Sequence, residues 1–352
     1  MKTLRAGVVG LKMGMAHVRA MHAIEQYEMV AVCDLDERLI EKAMESVPNL
    51  KGFTDFDRML AEMDLDVLAI ATPNKIHADM TIKAAKAGVK GIACEKPISM
   101  NLEEAFEMKA VCDMHGAKLI VTHQRRMSAP YVTMKRLLDE GAIGQVYMVR
   151  GNCAGDALSD GTHTIDSVNF LLGDPKPVSI LSQIHRDLTP TEHNPNPGFR
   201  FGHPVESGAM TIIYFEDNLR FELFTGDLHA DNWDLDVPGD KYQDIEVFGT
   251  TGRLWRQGDS PKAALRIWDE AGGWRDIDAD EIDYASPHDA VYKELYLNIT
   301  ENKPHTLSVE NAIKDHEILM GLYESARLRK RLAFPITQKK FPLQIMSDEG
   351  II

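Results

Sequence analysis

Short apolar runs alternate with stretches of helical spacing along the first third of the chain. Residues 4–9 form an apolar run of strand type, and residues 15–25 carry apolar positions at helical spacing. Residues 29–33 are again strand-like and close on Asp34, and a helix is predicted over 36–47 with Asp36 as its N-cap. A strand over 67–71 is followed by Thr72-Pro73-Asn74 and a helix over 76–87, which Gly88 ends. A strand over 91–94 leads into Glu95-Lys96-Pro97, a helix over 102–115 stops at Gly116, and 119–123 is the last strand of the series. Strands alternating with helices of this length predict a parallel sheet covered on both faces. Right-handed crossovers make it doubly wound.

The rhythm changes at residue 124. A helix over 128–140, a strand over 145–151 and a helix over 162–172 are followed by a mainly strand-forming region. Its strands are predicted at 178–184, 209–215, 219–225, 245–248 and 264–268. Successive strands without helices between them indicate an antiparallel sheet. Helices over 288–301 and 309–331 close the chain, with Pro335 just beyond. The predicted fold class is α/β: a doubly wound domain over 1–123, and a second α/β domain with a large, mostly antiparallel sheet over 124–352. A chain of 352 residues exceeds the roughly 250–300 at which single cores stop growing, which agrees with two domains.

Charge narrows the partners. With 39 basic and 54 acidic residues the formal net charge is -15. Such a surface repels phosphate backbones and anionic membranes, so nucleic acid and membrane are not expected partners. No stretch approaches the ~18 unbroken apolar residues of a membrane span. Lys12 interrupts the first apolar region, so no signal peptide is expected. Cys33, Cys94, Cys112 and Cys153 are scattered, which predicts reduced, buried thiols in a cytoplasmic protein and no metal site.

Candidate chemistry begins at the first strand–helix turn. The run from Gly7 to Gly14 holds Gly10, Lys12, Met13 and Gly14. A glycine turn here lets backbone approach a pyrophosphate, and the helix N-terminus offers unpaired N–H groups. The spacing departs from GxGxxG: Lys12 takes the middle glycine's place and Gly14 comes one residue early. Asp34 ends the second strand 24 residues after Gly10, where a carboxylate accepts from a ribose 2′-hydroxyl and repels a 2′-phosphate. NAD is therefore expected over NADP. Lys96 follows the fifth strand, at the carboxyl edge where ligands of doubly wound sheets bind. There a lysine can polarise a substrate hydroxyl, and the Lys96–Pro97 bond is a candidate cis peptide. His163 lies near a helix start, three residues after Asp160 and three before Asp166. A histidine is suited to take the proton of a secondary alcohol, with an aspartate to orient its ring.

In combination, residues 10–17, Asp34, Thr72-Pro73-Asn74 with His77, Glu95-Lys96-Pro97, Gln124-Arg125-Arg126 and residues 161–166 resemble the glucose–fructose oxidoreductase / inositol dehydrogenase / rhizopine catabolism (Gfo/Idh/MocA) family. The segment from Ser325-Ala326-Arg327 through Pro335 resembles that family's closing helix. The resemblance implies a Rossmann domain, a bound nicotinamide cofactor, and substrates that are sugars, cyclitols or related polyols. It implies that Lys96 and His163 are catalytic. It places Thr72, Pro73, Asn74, His77 and Glu95 along the cofactor with Gly10, Lys12, Met13, Gly14, Asp34 and Gln124, and Arg126 beside the substrate with Lys96, Asp160 and His163. It implies a homodimer or homotetramer formed through the C-terminal sheet. The family's aspartate stands four residues before its histidine, where this chain has Ser159; either Asp160 takes that role or the role is vacant.

Two loops stand out, 186–206, rich in Pro, Asn and His, and 226–241, rich in Asp and holding Trp233. The first reads as a substrate lid or subunit contact, the second as a solvated acidic loop. Trp233 suits either stacking on a sugar or packing. Neither the aspartates Asp227, Asp231, Asp234, Asp236 and Asp240 nor His185, His193 and His203 have metal-site spacing. Residues 249–252 read as a hairpin turn. The leading expectation is reversible oxidation of a secondary hydroxyl on a neutral polyol. The alternatives are an NAD-retaining glycosidase that runs a redox-assisted elimination, and a non-enzymatic nucleotide or sugar sensor, which would have no need of both Lys96 and His163.

Overall fold

The structure, a computed structural model, describes residues 2–189, 198–228, 242–258 and 264–351. Two compact units emerge: residues 1–127 with 283–313, and residues 128–282 with 314–352.

In the first unit the strands are β1 (Leu4–Val9), β2 (Tyr27–Cys33), β3 (Lys51–Phe53), β4 (Val67–Ile70), β5 (Gly91–Cys94) and β6 (Lys118–Val121). Between them run α1 (Leu11–Ala23), α2 (Glu37–Ser46), α3 (Phe56–Glu62), α4 (His77–Lys86) and α5 (Leu102–His115). The strand order is β3-β2-β1-β4-β5-β6, and every pairing is parallel. The order reverses between β1 and β4, so the turns after these two strands flank the crevice where such sheets bind ligands.

Central strands of a parallel sheet lie under helices on both faces, which is why β4 and β5 read as unbroken apolar runs and are buried throughout. One core packs Leu4, Val8, Leu11 and Val32 on one side of the sheet; the other packs Ile70, Ile92, Cys94 and Met108. Local signals set the helix ends. Asp36 accepts from the Arg38 N–H, Asn101 accepts from Glu104 N–H at 2.9 Å, and Gly116 closes α5 at φ 69°.

The second unit contains α6 (Ala129–Asp139), β7 (Val146–Cys153), α7 (Thr162–Leu171), β8 (Pro177–His185), β9 (Phe199–Arg200), β10 (His203–Pro204), β11 (Gly208–Phe215), β12 (Arg220–Gly226), β13 (Gln243–Gly249), β14 (Gly252–Gln257), β15 (Ala264–Asp269) and β16 (Gly273–Asp276). Helix α8 (Pro287–Glu301) returns to the first unit, where Ala290, Val291 and Leu295 join the core around β1. Its start carries a capping box, Ser286 with Asp289. Helix α9 (Val309–Leu328), β17 (Leu332–Ala333) and α10 (Pro342–Asp348) complete the chain.

The nine-stranded sheet runs β16-β15-β14-β13-β7-β12-β11-β8-β17. It is antiparallel except for the β7–β12 pair. Residues 249–252 form the predicted hairpin turn between β13 and β14. Strand β7 carries Gly151 beneath α7, where a Cβ would lie 2.6 Å from Thr164 Cγ2. Gln243 on β13 donates to Thr164 Oγ1 at 2.9 Å. These two contacts seat α7, and with it His163, on the sheet.

Candidate active site

The glycine turn after β1 is built around close backbone approach. Gly10 has φ 83°, and a Cβ there would lie 2.4 Å from the Ala71 carbonyl oxygen at the end of β4. Gly14 lets α1 settle on β1, since a Cβ would meet Val8 Cγ1 at 2.8 Å. Gly10, the N-cap of α1, has no side chain to cap the helix, so its positive end is set by the glycine turn and by Asp34 from β2. Lys12 and Met13 lie on this exposed first turn, Met13 at 66% exposure. Asp34 joins the turn from β2: its Oδ2 accepts from Leu11 N–H at 2.6 Å and its Oδ1 from Asp36 N–H at 2.9 Å. A carboxylate has about four acceptor positions, so two remain for a ribose diol. The glycine geometry, the helix N-terminus and the placed carboxylate together fit a dinucleotide.

Beyond β4, Thr72 and Pro73 form the turn and Asn74, nearly buried, opens a short 3-10 helix to Ile76. His77, which the resemblance places along the cofactor, follows in the first turn of α4. It is fully buried, with Nδ1 2.9 Å from the Pro97 carbonyl and Nε2 2.9 Å from the Thr72 carbonyl. Its ring holds the turn after β4 against the turn after β5. Burial pushes His77 below the usual histidine range, against the raising pull of the two carbonyls and Glu95.

The Lys96–Pro97 peptide is cis. Glu95, just before it, is fixed by side chains that sequence reasoning missed. His17 Nε2 lies 3.0 Å from Glu95 Oε1, and the Thr122 hydroxyl donates to the same oxygen at 2.7 Å. Burial raises the Glu95 carboxyl, but the hydrogen bond and charge of His17, with Lys96 and Thr122, outweigh it and hold it near 2. An ionised Glu95 only accepts, so Nε2 of His17 carries a proton toward it; Nδ1 faces the Tyr292 hydroxyl at 2.6 Å. His288 stands edge-on to His17 with ring centres 5.1 Å apart, and burial, with His17 beside it, lowers it to about 4. His17, Glu95 and His288 offer three ligand atoms within 4.8 Å of one another. A cation there would have to break the His17–Glu95 hydrogen bond. Gln124 opens a short turn after β6, and Arg126 in the same turn is 2% exposed.

In the second unit His163 lies in the first turn of α7, which follows directly on a π-helical turn, Ala157–Gly161. Asp160 in that turn pairs with Arg200, whose Nη1 bridges the Asp160 carboxylate to Asp156 Oδ2, the latter at 2.9 Å. The cause is steric and electrostatic. Asp160 Oδ2 lies where a Cβ on residue 155 would be, space that Gly155 leaves open, and the same oxygen meets the Arg200 guanidinium. Asp166 is buried on α7. Asp156 caps the π turn, accepting from Ser159 N–H at 2.7 Å, and Glu206 accepts from Ala157 N–H at 2.6 Å and from the Tyr323 hydroxyl at 2.8 Å. Burial and Asp156 push the Glu206 carboxyl up to about 7. No sequence signal marks Arg200, whose partners lie some forty residues away. His185 Nε2 stands 3.5 Å from Asp227, and His203 Nδ1 3.0 Å from the Pro204 carbonyl. His193, Trp233, Asp231, Asp234, Asp236 and Asp240 lie outside the described residues.

Comparison with known proteins agrees with this construction. Residues 4–123 match the model of the oxidoreductase family with an NAD-binding Rossmann fold, and residues 131–255 match the GFO/IDH/MocA C-terminal domain. An inositol 2-dehydrogenase of Salmonella paratyphi B is 31% identical over 153 residues, 42% of this chain and 45% of that protein. The chain thus spans about half the length of the curated relatives of this kind that it matches. Among solved structures, an aldose–aldose oxidoreductase from Caulobacter crescentus complexed with glycerol has a TM-score of 0.78 at 18% identity, covering 95% of this chain and 100% of that one. A myo-inositol 2-dehydrogenase from Lactobacillus plantarum has a TM-score of 0.73 at 21% identity, covering 94% and 99%. Among the described residues no helix is long and apolar enough to cross a membrane. With both of its domains matched, the chain belongs to the GFO/IDH/MocA family of NAD-binding oxidoreductases.

Proposed function

We propose that this chain is an NAD-dependent dehydrogenase acting on a secondary hydroxyl of a sugar, cyclitol or related polyol. The observation that carries the reading is the locked Glu95-Lys96-Pro97 turn. A buried, ionised Glu95 held by His17 and Thr122 fixes the backbone from which Lys96 emerges, at the carboxyl edge of β5. Family membership and relatives named as inositol 2-dehydrogenases support the same chemistry.

In this reading the first unit holds the cofactor, through the α1 N-terminus, the Gly10 turn and Asp34, and the second supplies the substrate side. Bound NAD supplies the carbon that accepts a hydride. Lys96 donates a hydrogen bond to the substrate oxygen and stabilises the negative charge that grows on it. His163 takes the hydroxyl proton, so the alcohol loses one hydride and one proton and becomes a ketone. His77 and Glu95 keep the two turns in register. The four cysteines, all buried and none in a disulfide, suit a reducing cytoplasm.

Assembly through the nine-stranded sheet belongs to the same proposal. One face of that sheet carries Leu181 and Met210, 41% and 43% exposed, beside an Arg150–Glu222 pair at 3.3 Å. An apolar sheet face with interleaved charges suits a second copy. The test of the activity is NADH formation across a polyol panel, for the wild type and Lys96→Ala. A wild type that binds NAD and yields NADH with none of the panel would overturn the reading.

A further inference from the structure

The loop between β8 and β11 carries a small hairpin, β9 paired with β10, and Arg200 is on it. The hairpin is braced at its base. Val205 N–H donates to the Gly198 carbonyl at 2.9 Å, Arg186 Nη2 donates to the same carbonyl at 2.6 Å, and Asp187 N–H donates to Ser207 Oγ at 2.8 Å. Arg200 lies 4.8 Å above the Phe201 ring, which steadies its guanidinium. Burial lowers its proton affinity, but Asp160 and Asp156 outweigh that and keep it cationic.

The guanidinium is only half used. Both aspartates bind Nη1, and among the described residues Nε and Nη2 meet no acceptor, while the side chain is 42% exposed. Asp160 Oδ1 likewise meets no donor among the described residues. The planar guanidinium thus keeps three N–H donors, on Nε and Nη2, beyond its contact with Asp160, which stands three residues before His163 in a continuous helical run. Two nearly buried carboxylates already surround the single cation, so an anionic ligand meets a net negative site. A neutral diol meets both a donor and an acceptor.

We propose that Arg200 is a specificity-determining residue. With Asp160 it binds adjacent hydroxyls of a neutral polyol, Arg200 donating through Nε and Nη2 and Asp160 accepting through Oδ1. The β9–β10 hairpin thus contributes to substrate choice, and sugar acids are disfavoured. This rests on the dehydrogenase reading only in placing the diol beside the hydroxyl that His163 serves.

The experiment is calorimetric titration of the NADH-loaded full chain with myo-inositol, D-glucose and D-glucuronate, for the wild type, Arg200→Ala and Arg200→Lys. Arg200→Lys keeps a cation between Asp156 and Asp160, so it preserves the fold while removing the fork. At least one neutral polyol is expected to bind the wild type. Its Kd should rise at least tenfold in both variants with NADH affinity unchanged, and glucuronate should bind no more tightly than glucose. Equal Kd in wild type and Arg200→Lys, a tenfold preference for glucuronate, or binding of none of the three overturns the inference. NADH formation from NAD is read separately. Arg200-dependent binding without turnover removes the dehydrogenase reading and leaves this site standing; turnover with Kd unchanged in the variants removes this site and leaves the dehydrogenase.

Discussion

Asp34 Oδ2 accepts a hydrogen bond from the backbone N–H of Leu11 at 2.6 Å, tying the end of β2 to the first residue of α1. The carboxylate thus sets the helix start, and in the proposed reading it also meets the ribose diol. In Asp34→Ala both roles go. A lost charge-assisted hydrogen bond is worth about 1.5–3 kcal/mol, so NAD affinity should fall by roughly ten- to hundredfold. NADPH should lose less than NADH, because the charge that repels a 2′-phosphate is gone. Fluorescence titration with both reduced cofactors checks this; equal losses would contradict the role of Asp34 in cofactor choice.

Gly10 and Gly88 separate two kinds of glycine requirement. Both have positive φ, 83° and 89°, but a Cβ on residue 10 would lie 2.4 Å from the Ala71 carbonyl oxygen while one on residue 88 meets nothing within 4 Å. Gly88→Ala should cost only the conformational preference, about 1–2 kcal/mol of stability. Gly10→Ala should cost more and abolish cofactor binding, because the turn must move away from β4. Chemical denaturation and NADH titration of the two variants make the comparison.

Two buried carboxyls should act on stability in opposite directions. Glu95 lies near 2 in the fold against 4.5 unperturbed, so it stabilises above pH ~4.5 and that contribution is lost as pH falls toward 2. Glu95→Gln should destabilise at neutral pH by roughly 2–3 kcal/mol and flatten the acid limb. Glu206 is raised to about 7, so its contribution is complete below pH ~4.5 and is lost as pH rises through 7. Glu206→Gln keeps an acceptor for Ala157 N–H and can donate its amide N–H to the Tyr323 hydroxyl in place of the reverse bond, and should overtake the wild type in stability above pH 7. Urea midpoints from pH 3 to 9 decide both.

The rhythm of the first domain was legible because parallel strands buried on both faces leave continuous apolar runs, as in β4 and β5. Strand β3 and helix α3 were not, for their three and seven residues are too short to show a period. Nothing in the pattern announced that α8 rejoins the first unit, since an amphipathic helix records that it is buried and not against what. At the candidate site, Lys96 and Asp34 were singled out from their places at strand ends, and Glu95 through the resemblance. His17, Thr122 and Tyr292 were not assigned roles, because the contacts that join them to Glu95 span up to 275 residues. The Asp160–Arg200 pair was not anticipated for the same reason: Arg200 sits in a loop with no periodic signal.

If the outer face of the nine-stranded sheet joins two copies, Leu181→Arg with Met210→Arg should yield monomers in sedimentation velocity. Exposed positions usually tolerate substitution within about 0.5 kcal/mol, so the fold should persist. An unchanged oligomer, or a wild type that is already monomeric, would place any assembly elsewhere.

The central claim is that Lys96 serves the reacting hydroxyl and not the cofactor. Steady-state NADH formation and NADH binding, measured side by side for the wild type and Lys96→Ala on the best neutral polyol, test it most directly. The account predicts NADH binding within about threefold of wild type and kcat lower by roughly a hundredfold or more, the scale for removing one donor at a developing oxyanion. Wild-type turnover in Lys96→Ala, or a loss of activity fully explained by lost cofactor binding, would contradict it.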